Sequence, residues 1–209
     1  GGIKNFLEFI IEEDNYEEEN IRHIIPLLRN SANTAYTLLV ELLIWAKSQK
    51  DETQFMPKKN DIIQIVTETL ELLNNAVVSK EISISFNTTS ANLYGLFDYD
   101  MVKTICRNLL SNAIKFTPNA GSVSIRILDK DDKLIVKIKD SGVGIPSENI
   151  EKLFDKKSYI TTPDTNFQLG TGIGLSICLD FINKHNEKIW VESTVNQGST
   201  FYFTLPKYL

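Results

Sequence analysis

The stretch Asn108–Thr117, NLLSNAIKFT, constrains this chain more than any other. Wound as a helix, it puts Asn108, Asn112 and Lys115 at i, i+4 and i+7, on one face. Val102, Ile105, Leu109, Ala113 and Ile114 form an apolar stripe for a core, beginning about one turn earlier. Two carboxamides and an ammonium on a single face can grip phosphates and a cation bound to them. An Asn oxygen is a hard, neutral ligand that suits Mg²⁺ when phosphate oxygens and water supply the rest. Taken alone, the same face would serve equally as solvated helix surface. The residues downstream decide between the two.

Length and charge narrow the classes. A chain of 209 residues is long for one small domain and comfortable for two. A net charge of −5 argues against a general nucleic-acid binder, which carries a basic surplus. No apolar run reaches the ~18 residues that span a bilayer, so no membrane contact is expected of this piece. No signal-peptide pattern opens it. Cys106 and Cys178 lie inside apolar helical patterns without CxxC spacing, which reads as buried structural thiols in a reducing compartment. The start at Gly1-Gly2, running straight into an amphipathic pattern with no initiator Met, reads as a cut fragment.

In chain order, residues 3–13 place Ile3, Phe6, Leu7 and Ile10 on one side of a short helix. Asp14-Asn15-Tyr16 breaks it, and Glu17–Glu19 favours a new helix start. A longer helix then runs to about residue 50, with Ile21, Ile24, Leu27, Leu28, Ala35, Leu38, Leu39, Leu42 and Trp45 at threes and fours. Pro26 predicts a kink in it. A helical hairpin with so much apolar face is expected to pair with a second copy, or else to pack on the next domain of the chain. Residues 51–57 read as a linker, and residues 58–209 as a second domain.

Within that domain the periodicity predicts helices over Asp61–Ser79, Asp98–Thr117 and Gly170–Lys184. Strict alternation predicts strands over residues 81–87, Ser122–Leu128, Leu134–Lys139, 188–193 and 199–205, with a polar turn at Asp129–Asp132. The fold class is therefore α+β: a two-helix hairpin, then a two-layer α/β sandwich with helices over one sheet.

Two loops carry the remaining chemistry. The strand at Leu134–Lys139 runs into Asp140-Ser141-Gly142-Val143-Gly144-Ile145-Pro146. Its glycines permit positive φ and a close backbone approach to a ligand. Its Asp can accept a hydrogen bond from an exocyclic amine, which distinguishes adenine from guanine. Further on, Gly170-Thr171-Gly172-Ile173-Gly174-Leu175 opens a helix, where backbone N–H groups form an anion site. Either loop alone often marks only a turn. With the Asn/Lys helix, in this order, they specify an adenine end, a metal and a phosphate end.

The set NLLSNAIKFTP, DSGVGIP, GTGIGLSI and GSTFYFTLP resembles the ATP-binding domain of sensor histidine kinases, in the superfamily shared with gyrase, Hsp90 and MutL. Residues 3–50 resemble part of a dimerisation and phosphotransfer hairpin. The resemblance implies that Asn112 holds Mg²⁺, that Asn108 and Lys115 contact phosphates or their water shell, and that Phe116 borders the base. It implies that Asp140 takes the adenine amine beside Gly142, Gly144 and Ile145. Gly170, Thr171, Gly172, Gly174, Leu175 and Thr200 complete the implied nucleotide set. Phe154 resembles an aromatic box, and residues 155–169 a mobile ATP lid in which Lys156 or Lys157 either reaches a phosphate or is solvated.

Two departures accompany the resemblance. The family's phosphoacceptor is a His followed by an acidic residue, on the first hairpin helix. His23 has no adjacent carboxylate and reads as a surface or packing histidine, and His185 follows the last helix. The acceptor is therefore expected upstream of Gly1, and this piece is expected to bind ATP without labelling itself. Asn186-Glu187 replaces the usual Gly-Gly, and Asn tolerates the left-handed turn. Against a gyrase-like ATPase, Asn108 stands where a water-activating Glu would be, and a carboxamide accepts no proton at neutral pH. A nucleotide-binding scaffold without chemistry is the other alternative. The expected function is the catalytic core of a two-component histidine kinase. It would use ATP and Mg²⁺, form a homodimer through the hairpin and serve a response-regulator receiver domain. Its place is cytoplasmic, with the parent protein anchored in the inner membrane.

Overall fold

The computed structural model divides the chain into two units, residues 1–46 and 47–209. It describes residues 54–154 and 172–208, with residues 22, 25, 26, 28, 29, 31, 32, 35, 36, 39, 40, 42, 43 and 46 of the first unit. Those residues of the first unit are all helical, Pro26 included. Ile25, Leu39, Leu42 and Leu43 are exposed there. The expected helix over residues 3–13, its break at 14–16 and His23 lie outside the described residues. Among the described residues no helix is long and apolar enough to cross a membrane.

The second unit runs β1 (Lys58–Asp61), α1 (Ile62–Ser79), β2 (Ser83–Thr88), β3 (Tyr94–Phe97), α2 (Tyr99–Phe116), β4 (Ser122–Lys130) and β5 (Lys133–Asp140). A short α3 (Ser147–Ile150), α4 (Gly174–Lys184), β6 (Ile189–Thr194) and β7 (Gly198–Pro206) complete it. Five strands form one sheet in the order β2-β4-β5-β7-β6, and β1 and β3 pair as a separate two-stranded sheet. The β2–β4 pair is parallel, because the chain returns through β3 and α2, and the other pairs are antiparallel.

Alternation sets the core. Ile125 pairs with Ile138, Ile138 with Phe201, and Val136 with Phe203, so these buried side chains share the helix-facing side of the sheet. Onto it α2 lays Val102, Ile105, Cys106, Leu109, Leu110, Ala113 and Ile114, all buried. Each fully buried aliphatic contributes roughly 1.5–3 kcal/mol, against a few tenths for a surface pair, so packing and not propensity fixes this helix. Asp98 caps its start by accepting the Met101 N–H at 3.1 Å. Lys80 Nζ holds its end through the carbonyls of Ile114 and Lys115, at 2.9 and 3.0 Å.

Three boundaries differ from the sequence pattern. β1 and β3 have no counterpart in it, since KKND has no apolar alternation and β3 is only four residues long. The β4–β5 turn tightens to Asp131-Asp132, with Asp131 at φ 42°. The last helix starts at Gly174 and not at Gly170, because Gly172 at φ 70° cannot be helical.

Candidate functional site

The polar face of α2 is where the pattern put it. Asn108 is half-buried and its Nδ2 donates to the Gly174 carbonyl at 3.3 Å, so this face looks onto the start of α4. A Cβ on Gly174 would lie 3.4 Å from the Asn108 carboxamide carbon, which puts the two elements in ordinary contact. One turn on, the half-buried Asn112 carboxamide makes no hydrogen bond to the described residues. Lys115 Nζ sits 5.5 Å from the centroid of the Phe116 ring, and both side chains are half-buried. The far end of α2 thus carries a cation, an aromatic face and an open carboxamide.

That end also anchors the loop after β5. The Phe116 carbonyl accepts the Val143 N–H at 3.3 Å, and the Val143 carbonyl accepts the Asn196 N–H at 2.7 Å. Ile145 N–H donates to Ser193 Oγ at 2.8 Å. The loop is therefore held between α2 and the β6–β7 turn. Gly142 is required by closeness: a Cβ there would meet the Phe116 carbonyl oxygen at 2.5 Å and Asp140 Oδ1 at 2.7 Å. A Cβ there would press against the protein's own backbone. Gly144 is required by conformation, with φ 70°, and a Cβ would fall 2.1 Å from the Thr194 carbonyl oxygen.

Asp140 closes β5 and is buried, 3% exposed. Its Oδ1 accepts the N–H of Gly142 at 2.8 Å and of Ser199 at 3.1 Å. The described residues give its other oxygen, Oδ2, no hydrogen bond. Burial pushes the carboxyl above its ordinary range, and the two N–H groups oppose that shift. The carboxylate is thus fixed by one oxygen and keeps acceptor capacity on the other.

Thr200, expected in the nucleotide set, and its neighbour Ser199 lie on opposite faces of β7. Thr200 pairs with Lys139 and Glu192, and so lies on the sheet face away from the helices. Ser199 has the same parity as Phe201 and Phe203, which face the helices, and its Oγ lies 3.0 Å from that of Ser193. Counting by twos back from the buried aromatics would have found it.

On the remaining side, α4 begins at Gly174 beside Asn108, and no side chain caps its start. Leu175 is half-buried in its first turn. Phe154 is half-buried in a turn. Gly170, Thr171 and residues 155–169 lie outside the described residues. No group of three or more His, Cys, Asp or Glu that could hold a metal occurs among the described residues. The Asn112 carboxamide could supply at most one neutral oxygen ligand, so a divalent cation there would need its other ligands from phosphate oxygens and water.

Known proteins resemble this chain in sequence and fold. The family described as histidine kinase-, DNA gyrase B-, and HSP90-like ATPase matches residues 97–209. The chain is similar to the sensor histidine kinase WalK of Bacillus subtilis, 29% identical over 98% of this chain and 34% of WalK. It is similar to the adaptive-response sensory kinase SasA of Thermosynechococcus vestitus, 32% identical over all of this chain and 56% of SasA. It therefore spans a third to just over half of these relatives. Among solved structures, the catalytic domain of the histidine kinase ThkA superposes with TM-score 0.65 at 32% identity, covering 73% of this chain and 96% of that one. ThkA in complex with the response regulator protein TrrA gives 0.77 at 26% identity, covering 99% and 57%. By this match over more than half its length, the chain belongs to the histidine kinase-, DNA gyrase B- and HSP90-like ATPase family.

Proposed function

We propose that the second unit binds Mg-ATP between α2, the loop after β5 and the start of α4, and serves as the catalytic part of a sensor histidine kinase. Asp140 Oδ2 accepts the adenine amine, Phe116 borders the base, and Gly142, Gly144 and Ile145 shape that wall. Asn108, Lys115 and the N-terminus of α4, with Gly170, Thr171, Gly172 and Leu175, take the phosphates. Asn112 holds Mg²⁺, which would neutralise phosphate charge when bound. Ser199 replaces Thr200 in this set, as the residue whose N–H orients Asp140.

The observation that carries the reading is the pair of contacts at the two ends of one helix face. Asn108 touches Gly174 at one end, and Phe116 bonds the Asp140 loop at the other. An adenine acceptor and an anion-binding helix start are thereby held a fixed distance apart along α2. Phosphoryl transfer under such an arrangement is mainly positioning and charge stabilisation. The P–O bond to the β-phosphate breaks, a P–N bond forms on a histidine ahead of residue 1, and ADP leaves. Relay to a response-regulator aspartate comes next by analogy with ThkA, whose complex contains such a partner. Asn108 in place of a water-activating Glu disfavours hydrolysis. Exposed Ile25, Leu39, Leu42 and Leu43 support homodimerisation through the helical region. Use of ATP and relay to a response regulator would favour a cytoplasmic location, with the parent protein anchored in the inner membrane.

Radiolabelled ATP with Mg²⁺ tests this on the present chain and on a longer form carrying a histidine-bearing helix ahead of residue 1. Nucleotide binding by both, with acid-labile, base-stable label on the longer form, is the expected result. Binding by both without label on either would make the unit a nucleotide-dependent scaffold and overturn the kinase reading.

A further inference from the structure

Away from the residues proposed for ATP, one buried polar cluster joins three parts of the second unit. His185, 5% exposed, comes directly after the last residue of α4. Its Nδ1 lies 2.7 Å from the Phe181 carbonyl and so carries the proton there, leaving Nε2 to accept the Asp98 N–H at 3.0 Å. Asp98, 8% exposed, stands at the start of α2. Its Oδ1 closes the helix cap on Met101. Its Oδ2 reaches 42 positions back in sequence to accept the Met56 N–H at 2.9 Å. The Phe55 ring meets the His185 ring edge-on, with centroids 4.8 Å apart.

A helix cap needs one carboxylate oxygen. The second is engaged by a residue ahead of β1, in a stretch where Phe55 is 38% and Met56 50% exposed. Burial alone holds such residues weakly, so the hydrogen bond and the ring contact locate them. The two helices tied by this cluster are those that carry Asn108, Asn112 and Lys115 on one side and Gly174 on the other.

We propose that Asp98 and His185 are positioning residues that latch Phe55-Met56 to the starting end of α2 and the closing end of α4, setting where the second unit takes hold of the incoming chain. The proposal rests on the phosphoryl-transfer reading above. Among the described residues, that hold begins at Phe55 with the latch closed and at Lys58, the first residue of β1, with it open. The release adds about 10 Å of extended chain between the units. A longer tether lowers the effective concentration at which an acceptor on one unit meets a donor on the other. The latch therefore governs delivery of the phosphoryl group, not capture of the nucleotide.

Asp98→Asn isolates this role. Asparagine caps helices as well as aspartate, but its single acceptor oxygen cannot serve both Met101 and Met56. The Met56 amide is expected to lose roughly tenfold or more of its hydrogen-exchange protection. Mg-ATP affinity of the present chain should stay unchanged within error, while transfer on the longer, histidine-bearing form slows by roughly 1.5- to twofold. His185→Gln, which can still accept from Asp98 and donate to Phe181, should retain the rate, and His185→Leu should lose it. Where Asp98→Asn fails to fold, Met56→Pro removes the donor along with the exposed Met56 side chain, and transfer on the longer form should slow as it does for Asp98→Asn.

An exposed Met56 amide with an unchanged transfer rate overturns the proposal. So does a loss of ATP affinity that accounts for the whole loss of rate, since the cluster would then merely support the nucleotide site. If the unaltered longer form takes up no label, the transfer reading falls instead, and the exchange of Met56 still decides whether the latch exists.

Discussion

Asp140→Asn separates two jobs that one carboxylate performs. The structural job belongs to Oδ1, which holds Gly142 and Ser199 by their N–H groups at 2.8 and 3.1 Å. Asparagine offers a carbonyl oxygen of the same reach for both. Each bond becomes neutral and weakens by some tenths of a kcal/mol, while a buried charge that the fold disfavours disappears. The net change in stability without nucleotide is expected to stay within about 1 kcal/mol, or about 2–4 °C in Tm for a chain of this size.

The ligand job belongs to Oδ2. Substitution turns that acceptor into an NH₂ group, which meets the adenine amine donor to donor. A hydrogen bond to a charged group contributes about 1.5–3 kcal/mol, so the Kd for ATP should rise about 10- to 150-fold. GTP presents a carbonyl at the same place and should lose far less, narrowing the ATP-to-GTP preference by a similar factor. Calorimetric titration with both nucleotides near neutral pH, beside thermal melts of the free protein, reads both jobs at once. An ATP affinity within twofold of the original would refute the assignment. So would a melt lowered as far as in Asp140→Ala with the nucleotide preference intact, since Asp140 would then be structural only.

Other expectations are equally direct. Gly144→Ala forces a side chain into φ 70° and within 2.1 Å of the Thr194 carbonyl. The conformation costs about 1–2 kcal/mol and the displaced backbone about 1–3, so melts should fall by roughly 4–20 °C. Asn112→Ala should abolish the Mg²⁺-dependent part of ATP affinity and leave metal-free binding unchanged, and an intact Mg-ATP affinity would sink that role. For His185, burial holds the folded pKa below the ordinary value of 6.5. The unfolded chain therefore binds a proton first, so this contribution is complete above pH ~6.5 and is lost as pH falls through the folded value. Urea titrations across that range should show a slope that His185→Gln flattens.

Much of the sheet and of the α2 face can be read in advance because both rest on periodicity within one segment. Ile125, Ile138 and Phe201 each alternate with polar neighbours, and their register simply aligns three such patterns. Asn108, Asn112 and Lys115 need only the helical repeat. β1 defeats that method, since nothing in KKND marks a strand until Tyr94–Phe97 arrives to pair with it. Asn186 behaves as its chemistry allows, at φ 54°, and keeps the turn that a glycine would make. In sequence its neighbour Glu187 is only a missing glycine, yet its carboxylate accepts Lys133 Nζ at 3.0 Å and the Thr204 hydroxyl.

Two positions that the sequence leaves open, on β7 and after α4, share one physical origin. A motif points to Thr200, whereas the side of a strand is decided by parity, and parity favours Ser199. Sequence shows of His185 only that it follows the last helix, whereas its partner Asp98 lies 87 positions away and binds it through a backbone N–H. A histidine is defined by what its two nitrogens meet in space, and a buried one must find both a donor and an acceptor. Sequence adjacency cannot supply that. The order of elements can: Asp98 opens α2, His185 closes α4, and those helices pack side by side. Once the two ends are known to be neighbours, a capping carboxylate with one oxygen left over becomes the natural place to fasten the incoming chain. The same logic makes Asp98, and not the more conspicuous His185, the residue whose amide variant tests the latch.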